Sequence, residues 1–373
     1  MTDESIRVIA FYLPQYHPIP ENDAWWGKGF TEWTNVTKAR PLFRGHYQPH
    51  LPADLGFYDL RVSESREAQA ELARQYGVTG FCYYHYWFSG KRLLHRPFDE
   101  VLTSGRPNFP FCLCWANEKW TRIWDGGESG RESEVLMEQT YSEQDDLAHI
   151  RWLARAFADP RYIRVEGKPM FIIYRAHKLP DVRTTTAIWR DECRHLGIGE
   201  IFLCRIDTGA DVLPPEEVGL DAAVEFQPDW FSLGYPLGSR GLRQSRWSDL
   251  KFFLRRKLSG HDITAQNYRH LVSTMSRRNQ PDYLRFPCVT PSWDNSPRRR
   301  RGPTVFIESS PKLFHQWLVA TLANLAKSKN TPRMLFVNAW NEWGESNHLE
   351  PDQRYGRSYL EALKEALRSV DGE

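Results

Sequence analysis

Eight short apolar runs punctuate the chain: Ile6–Tyr12, Val78–Tyr84, Phe109–Trp115, Pro169–Tyr174, Glu200–Ile206, Asp221–Phe226, Phe286–Pro291 and Met334–Val337. Each is too short for a typical helix and has the unbroken apolarity of a strand buried on both faces. Most are separated by segments of 3.6-residue period: Ser63–Tyr76, Asp145–Phe157, Thr184–Leu196, Pro311–Ala326 and Ser358–Val370. The third of these stops before Gly197, as helices often do. Strands alternating with helices require a parallel sheet. Eight such units predict an α/β fold of the (β/α)8 TIM-barrel type, with residues 1–373 as one domain. The fifth crossover, Asp207–Leu220, is short and contains proline, so its helix is expected to be reduced. The stretch 232–285 is too long for one crossover. It is expected to be a helical insertion between strands 6 and 7, with helices at Ser248–Leu258 and Ala265–Arg277.

Composition excludes several functions. A net charge of +2 over 373 residues gives no bulk attraction to nucleic acid. The N-terminus starts acidic and lacks an apolar core, so no signal peptide is expected. No run of 18 apolar residues occurs, so no membrane span is expected. The six cysteines form no Cys-x-x-Cys pair, and five lie in strand-like runs. They read as buried thiols of a reducing compartment, which points to a cytoplasmic protein. Glycine-rich nucleotide loops, Asp-x-Asp, His-Glu-x-x-His and Gly-x-Ser-x-Gly are all missing. Neither a cofactor, a catalytic metal nor an esterase elbow is expected.

The last apolar run leads into Asn338-Ala-Trp-Asn-Glu-Trp-Gly-Glu345. In parallel α/β folds, the loops after strand C-termini carry the chemistry. Glu342 and Glu345 are three apart, so a helical turn would put them on one face, with Cβ atoms about 5–6 Å apart. Paired acids suit a glycosidic bond, and the indoles of Trp340 and Trp343 suit sugar C–H faces. Acids stabilising a helix N-terminus are the simpler alternative. Of 15 tryptophans, eleven are placed just after predicted strands, which suggests an aromatic-lined cleft.

Other strand ends supply further candidates. The loop after the first run offers Tyr12, Gln15, Tyr16, Trp26, Glu32 and Trp33, as a sugar subsite or as a lid packing its own aromatics. Tyr84 and His85 end the second run; His85 would contact a hydroxyl or be a satisfied structural histidine. After the third run, Trp115, Asn117, Glu118 and Trp120 repeat the Asn–Glu pairing, and Glu118 is either a rival acid or a salt-bridged loop residue. Glu225 ends the sixth run. After the seventh, Trp293, Asp294 and Asn295 suit hydroxyl recognition, and Arg298–Arg301 would hold a phosphate or acidic sugar, or form a solvated face.

The segments Ala10–His17, Gly29–Asn35, Gly77–Phe81, Trp293–Arg299 and Asn341–Glu345 resemble the WbsX-like proteins of bacterial polysaccharide loci, often labelled glycosyltransferases. Those proteins are similar to glycoside hydrolase family 99, the endo-acting α-mannosidases. The resemblance implies a (β/α)8 barrel with catalytic glutamates in a Glu-Trp-His-Glu motif. Glu342 then matches the base that deprotonates the sugar 2-hydroxyl, and Glu345 the acid that protonates the leaving oxygen. The route implied runs through a 1,2-anhydro sugar, with net retention. Gly344 stands where that family has histidine, and the Tyr/Trp pattern after the first strand also differs; both departures bear on mannose specificity. The expected function is a retaining endo-type glycoside hydrolase acting on a bacterial surface polysaccharide or its precursor, including acidic or phosphorylated ones. The alternatives are a glycosyltransferase or transglycosylase, or a non-catalytic glycan-binding barrel.

Overall fold

The computed structural model describes residues 5–122, 134–207, 213–230, 232–233, 262–299, 301–327 and 332–371. The apolar runs form a parallel barrel of strands β1 (Arg7–Tyr12), β2 (Gly80–Phe88), β3 (Phe111–Trp115), β4 (Lys168–Ile173), β5 (Phe202–Asp207), β6 (Ala222–Glu225), β7 and β8 (Met334–Val337). They pair in chain order, and β1 also pairs β8. β7 is split into Arg285–Phe286, which pairs β6, and Cys288–Val289, which pairs β8. Pro287 interrupts it because proline has no N–H for a ladder. The following amide, Cys288 N, turns instead to the Glu225 carboxylate at 3.3 Å. The two halves of β7 complete the ring of paired strands.

The helices α1 (Pro20–Trp26) and α2 (Glu32–Lys38) sit in the loop after β1. The outer layer includes α3 (Ser63–Gln75), α4 (Arg96–Ser104), α5 (Glu143–Phe157), α6 (Val182–His195), α7 (Tyr268–Met275), α8 (Pro311–Lys327) and α9 (Ser358–Asp371). Among the described residues of the fifth crossover, Pro215–Val218 forms a 3-10 turn. Within the expected insertion, Ser248–Leu258 lies outside the described residues. The helix expected from Ala265 starts only at Tyr268, because Asn267 caps it through a side-chain bond from Arg269 N, and Thr264–Asn267 pairs Thr304–Ile307 as strands. All six cysteines are buried free thiols. No helix among the described residues is long and apolar enough to cross a membrane.

Strand parity decides what faces the site. Phe11, Tyr84, Tyr174 and Phe226 meet inside the barrel, with successive ring centroids 5.6, 6.1 and 5.5 Å apart. Tyr12 and His85, their chain neighbours, and Trp115, which pairs His85 across the strands, point outward. Tyr12 donates to Gln69 of α3 at 2.7 Å, His85 stacks on Trp152 of α5, and Trp115 packs against His149 and Trp189 of α5 and α6. Tyr12, His85 and Trp115 therefore contact helices where the sequence suggested substrate. β2 runs on to Phe88 and hairpins back through Ser89 and Gly90, so His85 lies inside the strand and is not in the loop beyond it.

Candidate active site

The loops at the strand C-termini surround a cavity of about 650 Å³. At one wall the β8 loop forms a short strand, Asn341–Glu342, and then a 3-10 turn, Trp343–Glu345. That turn brings Glu342 and Glu345 into the same cavity. Its backbone is held from both sides. Asn341 accepts from Leu13 N at 2.8 Å and donates to Leu13 O at 3.1 Å. The Tyr16 hydroxyl donates to Asn341 O at 2.6 Å and accepts from Trp343 N at 3.1 Å. The Trp343 indole donates to Glu350 at 2.7 Å and stacks on His348. Tyr16, Asn341, Trp343 and the fully buried Trp340 are thus scaffolding for the turn and do not line the cavity.

Arg298 organises the acids. Its Nε lies 2.7 Å from Glu32 Oε1, Nη2 2.7 Å from Glu342 Oε1, and Nη1 3.3 Å from Glu345 Oε1. One buried guanidinium therefore serves three carboxylates. Burial pushes Glu342 well above the usual carboxylate range; Glu345 and Glu32 add to this and Arg298 opposes it. Burial raises Glu345 too, again with Glu32 adding and Arg298 opposing. Three acids against one cation in a desolvated site favour keeping a proton on the cluster. Gly344 is required beneath it. A Cβ there would overlap the Glu32 carboxylate and stand 2.5 Å from Arg298 Nε. The Glu32–Arg298 pair fills the space that a side chain at 344 would need.

The rest of the lining is mixed. Gln15, Trp26, Tyr84, Trp120, Trp293, Asn295 and Asn338 border the cavity, as the sequence suggested. Trp25, one of the eleven loop tryptophans, borders it as well, and so do Phe30, Tyr86, Tyr174, Phe226, Lys38 and Lys119, which were missed. The signal for Tyr86 was the parity of Tyr84 two residues earlier. Glu118 reaches the cavity but pairs with Lys178 at 2.8 Å and Arg175 at 3.2 Å, partners other than its sequence neighbours. Burial raises its pKa, yet those two cations bring it below the usual range. Asn117 bonds Arg175 N and O, so it straps the β3 loop to the β4 loop as Asn341 straps β8 to β1.

Five further expectations need correction. Trp33 is buried against Tyr16, Tyr58 and Trp343, with its indole N–H on Tyr58 O at 2.8 Å. Glu225 is spent on Arg278 and Cys288 N behind the wall. Asp294 faces a neighbouring cavity, paired with His46 and Gln48, though its amide bonds Glu345 O at 2.8 Å. The arginine run is not one patch. Arg298 is turned in onto the three acids, Arg299 reaches the cavity, Arg301 is exposed, and Arg300 lies outside the described residues. Many of the loop tryptophans pack in the core and do not form a continuous sugar platform.

A (β/α)8 barrel with a buried carboxylate cluster in its C-terminal loops is the class that fold and site define. The chain matches the family described as Glycosyltransferase WbsX over residues 8–363, and it belongs to that family. It is 45% identical over 363 residues to the uncharacterized protein WxcX of two strains of Xanthomonas campestris pv. campestris. That match covers 96% of this chain and 49% of WxcX, so the chain spans about half the length of the curated relatives it matches. Among solved structures it is similar in fold to a glycoside hydrolase-like protein, with a TM-score of 0.58 at 16% identity over 98% of this chain and 95% of that one. It is also similar to the GH99 endo-alpha-mannosidase from Bacteroides thetaiotaomicron, with a TM-score of 0.57 at 14% identity over 100% and 98%.

Proposed function

We propose that this barrel is a retaining, endo-acting glycoside hydrolase of a bacterial polysaccharide or its precursor. The observation that carries the reading is the grip of Arg298 on Glu32, Glu342 and Glu345 in a cavity lined by aromatic rings. A buried acid cluster that holds a proton supplies both an acid and a base, which glycosidic cleavage needs. In the free site burial raises Glu342 more strongly than Glu345, although Arg298 contacts Glu342 more closely. The sugar 2-hydroxyl, arriving as a donor, draws the charge onto Glu342 and moves the proton to Glu345.

Glu342 then takes the 2-hydroxyl proton while that oxygen attacks the anomeric carbon. Glu345 gives its proton to the departing oxygen. Water opens the 1,2-anhydro ring, giving a proton to Glu345, and Glu342 returns its proton to the 2-oxygen. Two inversions make net retention. Trp26, Trp120 and Tyr84 offer faces for sugar C–H groups.

The test is a panel of purified bacterial polysaccharides, read first by reducing ends released and then by NMR of the anomeric proton. The first-formed product should keep the substrate's configuration, and a 2-deoxy analogue should bind without being cut. An inverted first product would overturn both the retention and the role of Glu342. The family is described as a glycosyltransferase, so transfer to an acceptor sugar by the same acids is the rival outcome of this test. Added acceptor then yields a longer glycan in place of the free reducing end.

A further inference from the structure

A second cavity, of about 490 Å³, lies beyond the wall formed by Trp293, which borders both. Three buried side chains converge on its lining: His50, His348 and Asp352. His50 Nδ1 is 2.9 Å from His348 Nε2, and each of these nitrogens is 3.9 Å from Asp352 Oδ2. A circle through three points so spaced has a radius of about 2.1 Å. Zinc–nitrogen bonds are about 2.0–2.1 Å and zinc–carboxylate bonds about 2.0–2.2 Å. We propose that His50, His348 and Asp352 bind one divalent transition cation of the zinc type, with its open positions toward this cavity.

The surroundings prepare these atoms for that task. His348 Nδ1 is 2.8 Å from Glu350 O, and a carbonyl only accepts, so Nδ1 carries the proton and the Nε2 lone pair is turned to the cluster. Asp352 Oδ1 accepts from Arg354 N at 2.8 Å and Tyr355 N at 2.6 Å, and Oδ2 is turned to the two rings. Tyr47 stacks on His50 with centroids 4.1 Å apart and lines the same cavity, so its hydroxyl offers a further oxygen. Two imidazoles and one carboxylate suit zinc, iron, cobalt or manganese; magnesium and calcium prefer oxygen donors alone.

The site would act on the acid pair by position. His348 lies under the Trp343 indole, with centroids 3.6 Å apart and planes 16° apart, and Trp343 stands between Glu342 and Glu345. A cation fixing His348 also ties it to His50, 298 residues away in the chain. The proposal does not depend on the barrel cleaving sugars.

The test uses protein purified without a metal-affinity tag and stripped with EDTA. Titration with Co2+ should give visible absorption bands that saturate at one equivalent, and micromolar Zn2+ should raise the melting temperature. His50→Gln and Asp352→Asn should each weaken binding by more than about 100-fold, since loss of even an outer-shell partner costs about 10–100-fold. Crystals soaked in Zn2+ should show an anomalous-scattering peak between the three side chains, a readout that needs no variant. A flat wild-type titration, unchanged binding in folded variants, or a soaked crystal without that peak would overturn the proposal and leave a plain hydrogen-bonded histidine pair.

Discussion

Arg298 Nη2 lies 2.7 Å from Glu342 Oε1, and both side chains are buried. The contact joins the β7 loop to the β8 loop, and the same guanidinium reaches Glu32 of α2. Three segments distant in sequence thus meet at one cation. That cation sets how much negative charge the acids can bear.

Arg298→Lys should keep a positive charge but lose the fork that serves three carboxylates. Turnover should fall by about 10²-fold or more, and the pH–rate profile should move to higher pH, because the acids lose guanidinium hydrogen bonds that oppose their rise. Arg298→Ala, which leaves buried acids unpaired, should also cost about 3–5 kcal/mol of stability. Urea unfolding and kcat/KM against pH check both. An unshifted profile in Arg298→Lys would show that the guanidinium does not govern the acids.

Arg299, with Lys38 and Lys119, brings positive charge to the cavity lining. If the substrate is acidic or phosphorylated, Arg299→Ser should weaken its binding several-fold, with the wild-type affinity falling as salt rises. A neutral oligosaccharide should bind both forms alike. Calorimetry at two ionic strengths makes the comparison. Equal affinity of both forms for the acidic ligand would remove Arg299 from recognition.

Much of this architecture is legible in the sequence, because barrel strands buried on both faces leave unbroken apolar runs. The same property hides parity. Tyr83 to Phe88 is aromatic throughout, so nothing in the run tells that Tyr84 faces the cavity and His85 faces α5. The carboxylate pair is legible because Glu342 and Glu345 are local in sequence. The Arg298–Glu32 pair is not, its members being 266 positions apart. Gly344 stands out as an exchange for histidine, but its reason exists only in space, where Glu32 and Arg298 occupy the volume above it.

Glu350 gives a pH signature in stability. Burial raises its pKa from 4.5 to about 7, although Trp343, Gln69 and Tyr58 donate to it and oppose the rise. A carboxyl with a raised folded-state pKa binds more protons folded than unfolded in that window. Its contribution to stability is therefore greatest at acid pH and declines as pH rises from about 4.5 to about 7, by about 3 kcal/mol in all. The melting temperature of Glu350→Gln should depend less on pH between 5 and 7 than that of the wild type. Parallel curves for the two proteins would mean that Glu350 does not titrate there.

The central claim is that Glu342 and Glu345 cleave a glycosidic bond as a pair. The measurement that bears on it most directly is turnover of Glu342→Gln and Glu345→Gln on a polysaccharide that the wild type cuts, with circular dichroism confirming that each is folded. Removing a general acid or base typically costs about 10²–10⁴-fold, and each variant should lose at least that much. Near-wild-type turnover in either folded variant would contradict the claim.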